Sequence, residues 1–239
     1  MNKDLWELIE QSSYVVFFGG AGVSTESGVP DFRSADGLYR QKYAYPPETI
    51  LSHGFFNHNT EEFYRFYRDK MLYTDAKPNP AHKALARLEQ MGKLKAVITQ
   101  NIDGLHQAAG SKCVLELHGS VHRNHCEKCG KFYGLDAILS TEGIPKCTCG
   151  GIIKPDVVLY EEPLDDKVIR QAVRHIQKAD LLIVGGTSLN VYPAAGFIQY
   201  LRNGKMVVIN RDPTSADSRA ELVFREPIGQ VLSMEDEPI

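Results

Sequence analysis

The chain has 239 residues, enough for one large domain, or one domain plus a small insert, with a substantial core and no need of staples. Hydrophobic residues make up 43% and charged residues 24%, which excludes global disorder. Lys and Arg total 27 against 30 Asp and Glu, a formal net charge of -3, which removes the electrostatic case for wrapping nucleic acid while allowing a lysine-containing peptide to dock.

Leu5, Leu8 and Ile9 have helical spacing and predict a short amphipathic helix over 4–12. The same N-terminal stretch carries charges every few residues and has no apolar run of signal-peptide length. No stretch approaches the roughly 18 to 20 apolar residues of a membrane span. The expectation is a cytoplasmic protein without membrane contact. Tyr14 to Phe18 is a continuous apolar run ending in Gly19, Gly20, Ala21 and Gly22, read as a buried strand entering a tight turn. Similar runs recur at 96–98, 114–117, 157–159, 181–184, 206–209 and 222–224, with helix-like segments at 80–91, 165–178 and 193–202 between several of them. Strands without alternation, separated by helices, predict an α/β fold with a parallel sheet covered on both faces. Residues 36–78 and 120–155 break this rhythm and read as insertions. The last residues, 234–239, read as a frayed acidic tail.

The glycine-rich turn runs from Gly19 to Gly28. Its glycines let a backbone approach a phosphate, a following helix would aim N–H groups at it, and Ser24 and Thr25 add hydroxyls. Taken alone it matches only GxGxxT and is equally a ligand-free turn. Asp31 and Asp36 come too early for the ribose-binding acid of an ordinary hydride-transfer site. Gly185-Gly186-Thr187-Ser188 and Asn210 end later strands, so three strand ends are placed to meet at one crevice.

The cysteines number five, an odd count that argues against a disulfide framework. Cys126-x2-Cys129, 17 residues, then Cys147-x-Cys149 is zinc-ligand spacing, with the second pair one residue short. Four thiolates make a closed structural site. His118, His122 and His125 lie near enough to be alternative ligands.

Thr99-Gln100-Asn101-Ile102-Asp103 follows the predicted strand 96–98, and Leu115-Glu116-Leu117-His118-Gly119 ends the next one. His118 titrates nearest neutrality and is the first candidate for a general base. Asn101 and Asp103 fit equally well as helix caps for 103–109, and Arg33 fits as an ordinary ion-pair residue.

Together the stretches 20–34, 99–111, 116–120, the cysteine pairs, 154–162, 185–197 and 207–210 resemble the sirtuin family, in family order and over nearly the whole chain. The resemblance implies a Rossmann-like core (about 1–35, 79–119 and 156–239) and a small module of a helical insert (about 36–78) and a zinc ribbon (about 120–155). It implies NAD and an acetyl-lysine protein or peptide meeting in the cleft, and one structural Zn2+. Gly20, Ala21, Gly22, Ser24 and Thr25 would hold the NAD phosphates, and Phe32 and Arg33 would cover the nicotinamide side. Gln100 would touch the nicotinamide ribose, and Asn101, Ile102 and Asp103 would form the nicotinamide pocket. Gly186, Thr187, Ser188, Asn210 and Ile228 would hold the adenosine half. Val157, Val158, Leu159 and Tyr160 would pair with the peptide as an added strand. The implied reaction has the acetyl oxygen attack the ribose carbon as nicotinamide leaves, with Asp103 holding its amide and His118 as base on a ribose hydroxyl. Products are free lysine, nicotinamide and O-acetyl-ADP-ribose.

Sirtuins that favour acidic acyl groups resemble one another in a Tyr-x-x-Arg of the helical insert. Here Tyr64 is followed three residues later by Tyr67, and Arg68 is one place late, about 100° round a helix. A deacetylase with weak activity on succinyl groups follows. The competing readings are a non-catalytic NAD or ADP-ribose module, a zinc-ribbon nucleic-acid binder, and an ADP-ribosyl transferase acting on protein. Nothing in the sequence calls for an obligate dimer, and a monomer is expected.

Overall fold

The computed structural model describes residues 2–31 and 45–233. The predicted site residues Phe32 and Arg33 lie outside the described residues. Six strands form a parallel sheet in the order β3-β2-β1-β7-β8-β9. These are β1 (Val15–Gly19), β2 (Leu94–Thr99), β3 (Val114–Glu116), β7 (Leu181–Gly185), β8 (Lys205–Ile209) and β9 (Leu222–Phe224). A second sheet of order β5-β4-β6 is antiparallel and joins β4 (Gly119–Cys126), β5 (Phe132–Tyr133) and β6 (Ile153–Val157). The helices are α1 (Lys3–Gln11), α2 (Pro47–Ile50), α3 (His53–His58), α4 (Thr60–Lys70), α5 (Pro80–Gln90), α6 (Leu105–Ala108), α7 (Asp136–Leu139), α8 (Asp166–Lys178) and α9 (Ile228–Leu232).

Every residue of β1 and β7 is buried, which explains why these segments read as unbroken apolar runs. Successive side chains leave a strand on opposite faces. Val16, Phe18, Leu182 and Val184 therefore pack with Ala172 and Ile176 of α8. Val15, Phe17, Leu181 and Ile183 pack on the other face with Leu5 of α1, Leu85 of α5 and Val231 of α9. Side-chain caps start the longer helices: Asn2 accepts from Asp4 N, Asn79 from Ala81 N, and Asp165 from Lys167 N.

A third core joins the two insertions. Phe56, Phe63, Tyr64 and Tyr67 of the α3–α4 region pack with Val121, Cys126, Ile138 and Cys147. The small module is thus one packed body made of a helical insert and a cysteine-bearing ribbon. Three details depart from the sequence reading. The run at 157–159 is no strand of the parallel sheet, because β6 ends at Val157 and pairs antiparallel with β4. Val157 and Leu159 join the small module's core instead. The segment 193–202 winds as a 3-10 helix over Ala194–Tyr200. No α-helix follows the glycine turn directly, since the chain makes two 3-10 turns, Ala21–Val23 and Thr25–Ser27. Among the described residues no helix is long and apolar enough to cross a membrane.

Candidate active site

In a parallel sheet the C-terminal strand ends share one rim, and a ligand crevice forms where neighbouring strands send the chain in opposite directions. Here β1 and β7 are those neighbours. Gly20 to Thr25 leave β1, Gly186 to Ser188 leave β7, Gln100 to Asp103 leave β2, His118 follows β3 and Asn210 follows β8. Ile228 opens α9, and its Cδ1 lies 2.5 Å from where a Cβ on Gly185 would stand. These predicted residues therefore gather on one side of the sheet.

The two glycine turns are fitted against each other. Gly22 N donates to Gly186 O at 2.8 Å, and a Cβ on Gly22 would come within 2.8 Å of Gly186 Cα. Gly186 has φ +58°, and its Cβ would lie 2.4 Å from Val23 N. Close approach between two loops, as much as to any phosphate, therefore demands glycine at 22 and 186. Gly186→Ala is expected to cost about 2–4 kcal/mol in urea unfolding, from left-handed strain plus overlap. Gly28→Ala, with φ +81° and nothing within 4 Å of its Cβ, should cost only about 1–2 kcal/mol. Equal losses would show that the loop contact contributes nothing.

Ser24 is fully buried and its hydroxyl is fully used. It donates to Asp103 Oδ2 at 2.6 Å and accepts from Asn101 Nδ2 at 3.0 Å. Asp103 Oδ1 also accepts the Leu105 N–H at 2.9 Å, at the start of α6. Thr25 donates to Gly22 O at 3.0 Å. The two hydroxyls expected to face phosphate are thus both engaged within the loop network. Sequence reasoning missed two further members. Asn79 Nδ2 donates to Val23 O at 2.7 Å, and Asn79 N donates to His82 Nδ1 at 3.3 Å. The His82 proton therefore sits on Nε2, 3.5 Å from Ser24 Oγ. Burial pushes the His82 pKa down to about 4, with the Asp103 carboxylate opposing. Its ring stacks edge-on at 4.7 Å against His106, which burial pushes down to about 3. The signal that could have found them is the Asn-Pro-x-His start of α5, a cap whose side chains turn back to the loop.

His118 is tied in by Nδ1, 3.0 Å from the Gln100 carbonyl. A carbonyl only accepts, so Nδ1 carries the proton and Nε2 keeps its lone pair. Burial lowers the His118 pKa below the ordinary imidazole value, and the Gln100 contact opposes this in part. At neutral pH the ring is an uncharged base. Gln100 N in turn donates to Gly19 O at 3.0 Å, and Gln100 Nε2 donates to Thr187 Oγ1 at 3.1 Å. A Cβ on Gly20 would stand 2.9 Å from Thr187 Cβ. One short chain of contacts thus links the imidazole to both glycine turns. Below it Arg123 bridges Glu116 at 2.6 Å and Asp156 at 3.0 Å, joining the large sheet to the small one.

Of the adenosine-side residues, Thr187 is buried and Asn210 donates through Nδ2 to Asp212 O at 2.8 Å. The segment Val157–Tyr160 is already paired within the chain. Val158 N donates to His118 O and Tyr160 N to Leu51 O, both at 2.9 Å. Leu159 N donates to Glu162 Oε2, also at 2.9 Å. His53 and Lys154 hold the same Glu162 carboxylate. A peptide added along 158–160 has no N–H left there to accept from.

The sulfur atoms of Cys126, Cys129, Cys147 and Cys149 all lie within 4.8 Å of one another. Cys126 and Cys149 are 3.4 Å apart, and Cys129 and Cys147 are 3.7 Å apart. A disulfide requires about 2.05 Å. Tetrahedral zinc with Zn–S bonds of about 2.3 Å places its sulfurs about 3.8 Å apart, so the cluster fits that ion. Gly130 and Gly150, at φ +70° and +81°, turn the two knuckles, and the short second pair still brings both its sulfurs in. Tyr133 donates to Cys147 Sγ at 3.0 Å. The histidines near in sequence are elsewhere: His122 Nε2 meets Asp103 O at 3.0 Å and His125 packs on Phe132.

A sequence model described as the Sir2 family matches residues 20–193. An NAD-dependent protein deacetylase of Clostridium perfringens is 62% identical over 236 residues, covering 97% of this chain and 96% of that protein. One from Clostridium acetobutylicum is 59% identical over 234 residues, covering 96% of each. A solved Sir2 with a p53 peptide and NAD+ is 40% identical, with a TM-score of 0.87 and coverage of 97% and 96%. A solved Sir2 with an inhibitor, 2′-O-acetyl-ADP-ribose and a deacetylated p53 peptide is 38% identical, with a TM-score of 0.86 and the same coverage.

Proposed function

The chain belongs to the Sir2 family, and from that premise we infer that it removes acetyl groups from protein lysine side chains at the expense of NAD. Products are nicotinamide, O-acetyl-ADP-ribose and free lysine. The observation that carries the reading is the neutral His118 ring bonded to the Gln100 carbonyl, one contact away from the turn that follows β1. NAD supplies a ribose carbon with a departing nicotinamide. His118 Nε2 takes the proton of a ribose hydroxyl, which its low pKa keeps possible at neutral pH. Asn101, Ile102 and Asp103 bound the nicotinamide pocket, and the Ser24 hydroxyl fixes the two polar members before any ligand arrives. The turn from Gly20 to Thr25 takes the phosphates through its backbone, since the Ser24 and Thr25 hydroxyls are engaged within the loop. Gly186 to Ser188, Asn210 and Ile228 take the adenosine half.

Zinc on the four cysteines supplies no reactive position and holds the ribbon in shape. The helical insert and the ribbon act as one unit because they share a core. Val157 to Tyr160 contact the acetyl-lysine peptide through side chains and carbonyls, since the N–H groups of 158 to 160 are used. Action in the cytoplasm, without nucleic acid, is supported by the net charge of -3 and by thiols gathered as metal ligands.

The acyl preference follows from α4. Tyr67 is wholly buried and stacked on Phe63 at 5.5 Å. Arg68 spends its guanidinium on the carbonyls of Ile138 and Gly143, at 2.9 and 2.6 Å. Among the described residues, Arg68 therefore offers no free fork on this face of α4 for an acyl carboxylate. The test is to incubate the protein with NAD and acetyl-lysine or succinyl-lysine peptides and follow nicotinamide and acyl-ADP-ribose. Acetyl turnover at least about tenfold above succinyl is expected, the worth of one good charged contact. Absence of O-acetyl-ADP-ribose would end the functional reading, and equal rates would end the preference.

A further inference from the structure

The loop leaving β1 is held near its start by backbone and amide contacts, Gly22 N to Gly186 O and Asn79 Nδ2 to Val23 O. Its far end is held by a carboxylate. Glu26 Oε2 accepts the Gly229 N–H at 2.7 Å, joining residues 203 apart in the sequence. Gly229 is buried in the first turn of α9, and a Cβ there would stand 2.5 Å from that same oxygen. Glycine at 229 is what lets the carboxylate reach the backbone. Beside it, Ile228 covers the end of β7 at Gly185. Val23 and Ile228 belong to the same apolar cluster. One side-chain hydrogen bond, beside that apolar contact, therefore ties the far end of the glycine turn to the Ile228 side, the two flanks of the crevice.

We propose that Glu26 is a positioning residue for the dinucleotide. It touches neither NAD nor the peptide. It holds the phosphate-facing turn and the Ile228 side at a fixed distance, so that NAD enters a site that needs no ordering. This rests on the Sir2 reading of the crevice. Glu26 is exposed, so truncating it opens no hole in the core.

The test uses the full-length, zinc-loaded protein with Glu26→Ala and Glu26→Gln. Calorimetry with ADP-ribose gives Kd, and steady-state assays with NAD and an acetyl-lysine peptide give KM and kcat. In Glu26→Ala the Kd for ADP-ribose and the KM for NAD should rise roughly fivefold to tenfold, the worth of one typical hydrogen bond. The kcat at saturating NAD and the KM for peptide should stay within about twofold of wild type, because the reacting groups are untouched. Glu26→Gln keeps an acceptor oxygen and should bind within about twofold of wild type. A merely structural role would lower the melting temperature and leave the KM for NAD where it was. Undiminished ADP-ribose binding in Glu26→Ala would overturn the proposal. So would a Gln variant as weak as the Ala variant, since charge alone would then be the cause. If wild type itself binds no ADP-ribose, the Sir2 reading of the crevice fails first, and this inference with it.

Discussion

His118→Ala should leave a folded protein that still holds zinc and NAD but turns over acetyl-peptide at least about a hundredfold more slowly, the usual contribution of a positioned general base. The ring is half-buried and its one described hydrogen bond goes to the Gln100 carbonyl, so removing it leaves a single backbone acceptor to be rewetted. Stability should change little. The pH profile of kcat/KM tests the same assignment in wild type. Burial lowers the folded-state pKa below the usual imidazole value of about 6.5. The protonated ring cannot act as a base, so activity should be level near neutrality and fall on the acid side, with its midpoint below about 6.5. A midpoint well above that value, or near-normal turnover in the alanine variant, would remove His118 from this role.

Stripping zinc with a strong chelator, or replacing Cys126 with alanine, should unfold the ribbon while the parallel sheet survives. Structural zinc sites contribute roughly 10–16 kcal/mol in small metal-dependent domains, more than the margin of most whole proteins. The ribbon leans on the ion, since β5 has only two residues and Cys126 and Cys147 are themselves part of the core it shares with the helical insert. The large sheet has its own two apolar clusters, neither of which includes a cysteine ligand. Metal-free protein should therefore keep most of its far-UV dichroism, become open to protease between residues 120 and 155, and lose activity. Full protease resistance in protein shown to be free of zinc would refute a structural role for the cluster.

The parallel sheet was legible because its central strands are buried on both sides and so cannot alternate. The same logic misassigned 157–159. An apolar run that covers a small module reads like one inside a sheet, and only pairing with β4 tells them apart. The cysteine cluster was readable from spacing alone, including the shortened second pair, because a tight glycine turn absorbs the missing residue. The strand-end residues were readable as polar groups following apolar runs. Their mutual bonds were not. That Ser24 is committed to Asp103 and Asn101, and that Asn79 and His82 stand behind it, depends on α5 folding back onto the loop over more than fifty positions of chain. Periodicity carries no information about that.

Only a turn of two residues, Leu117 and His118, separates β3 of the large sheet from β4 of the small one. Gly119, at φ +77°, follows at once, and a Cβ there would fall 1.8 Å from the Asp156 carbonyl oxygen. Leu117 is pinned to one sheet through Thr99 O, and the His118 carbonyl is pinned to the other by Val158 N. The imidazole thus sits at the fulcrum between two bodies. If the ribbon rocks to release a product, atoms far out on it sweep wide arcs while the base at the pivot scarcely moves.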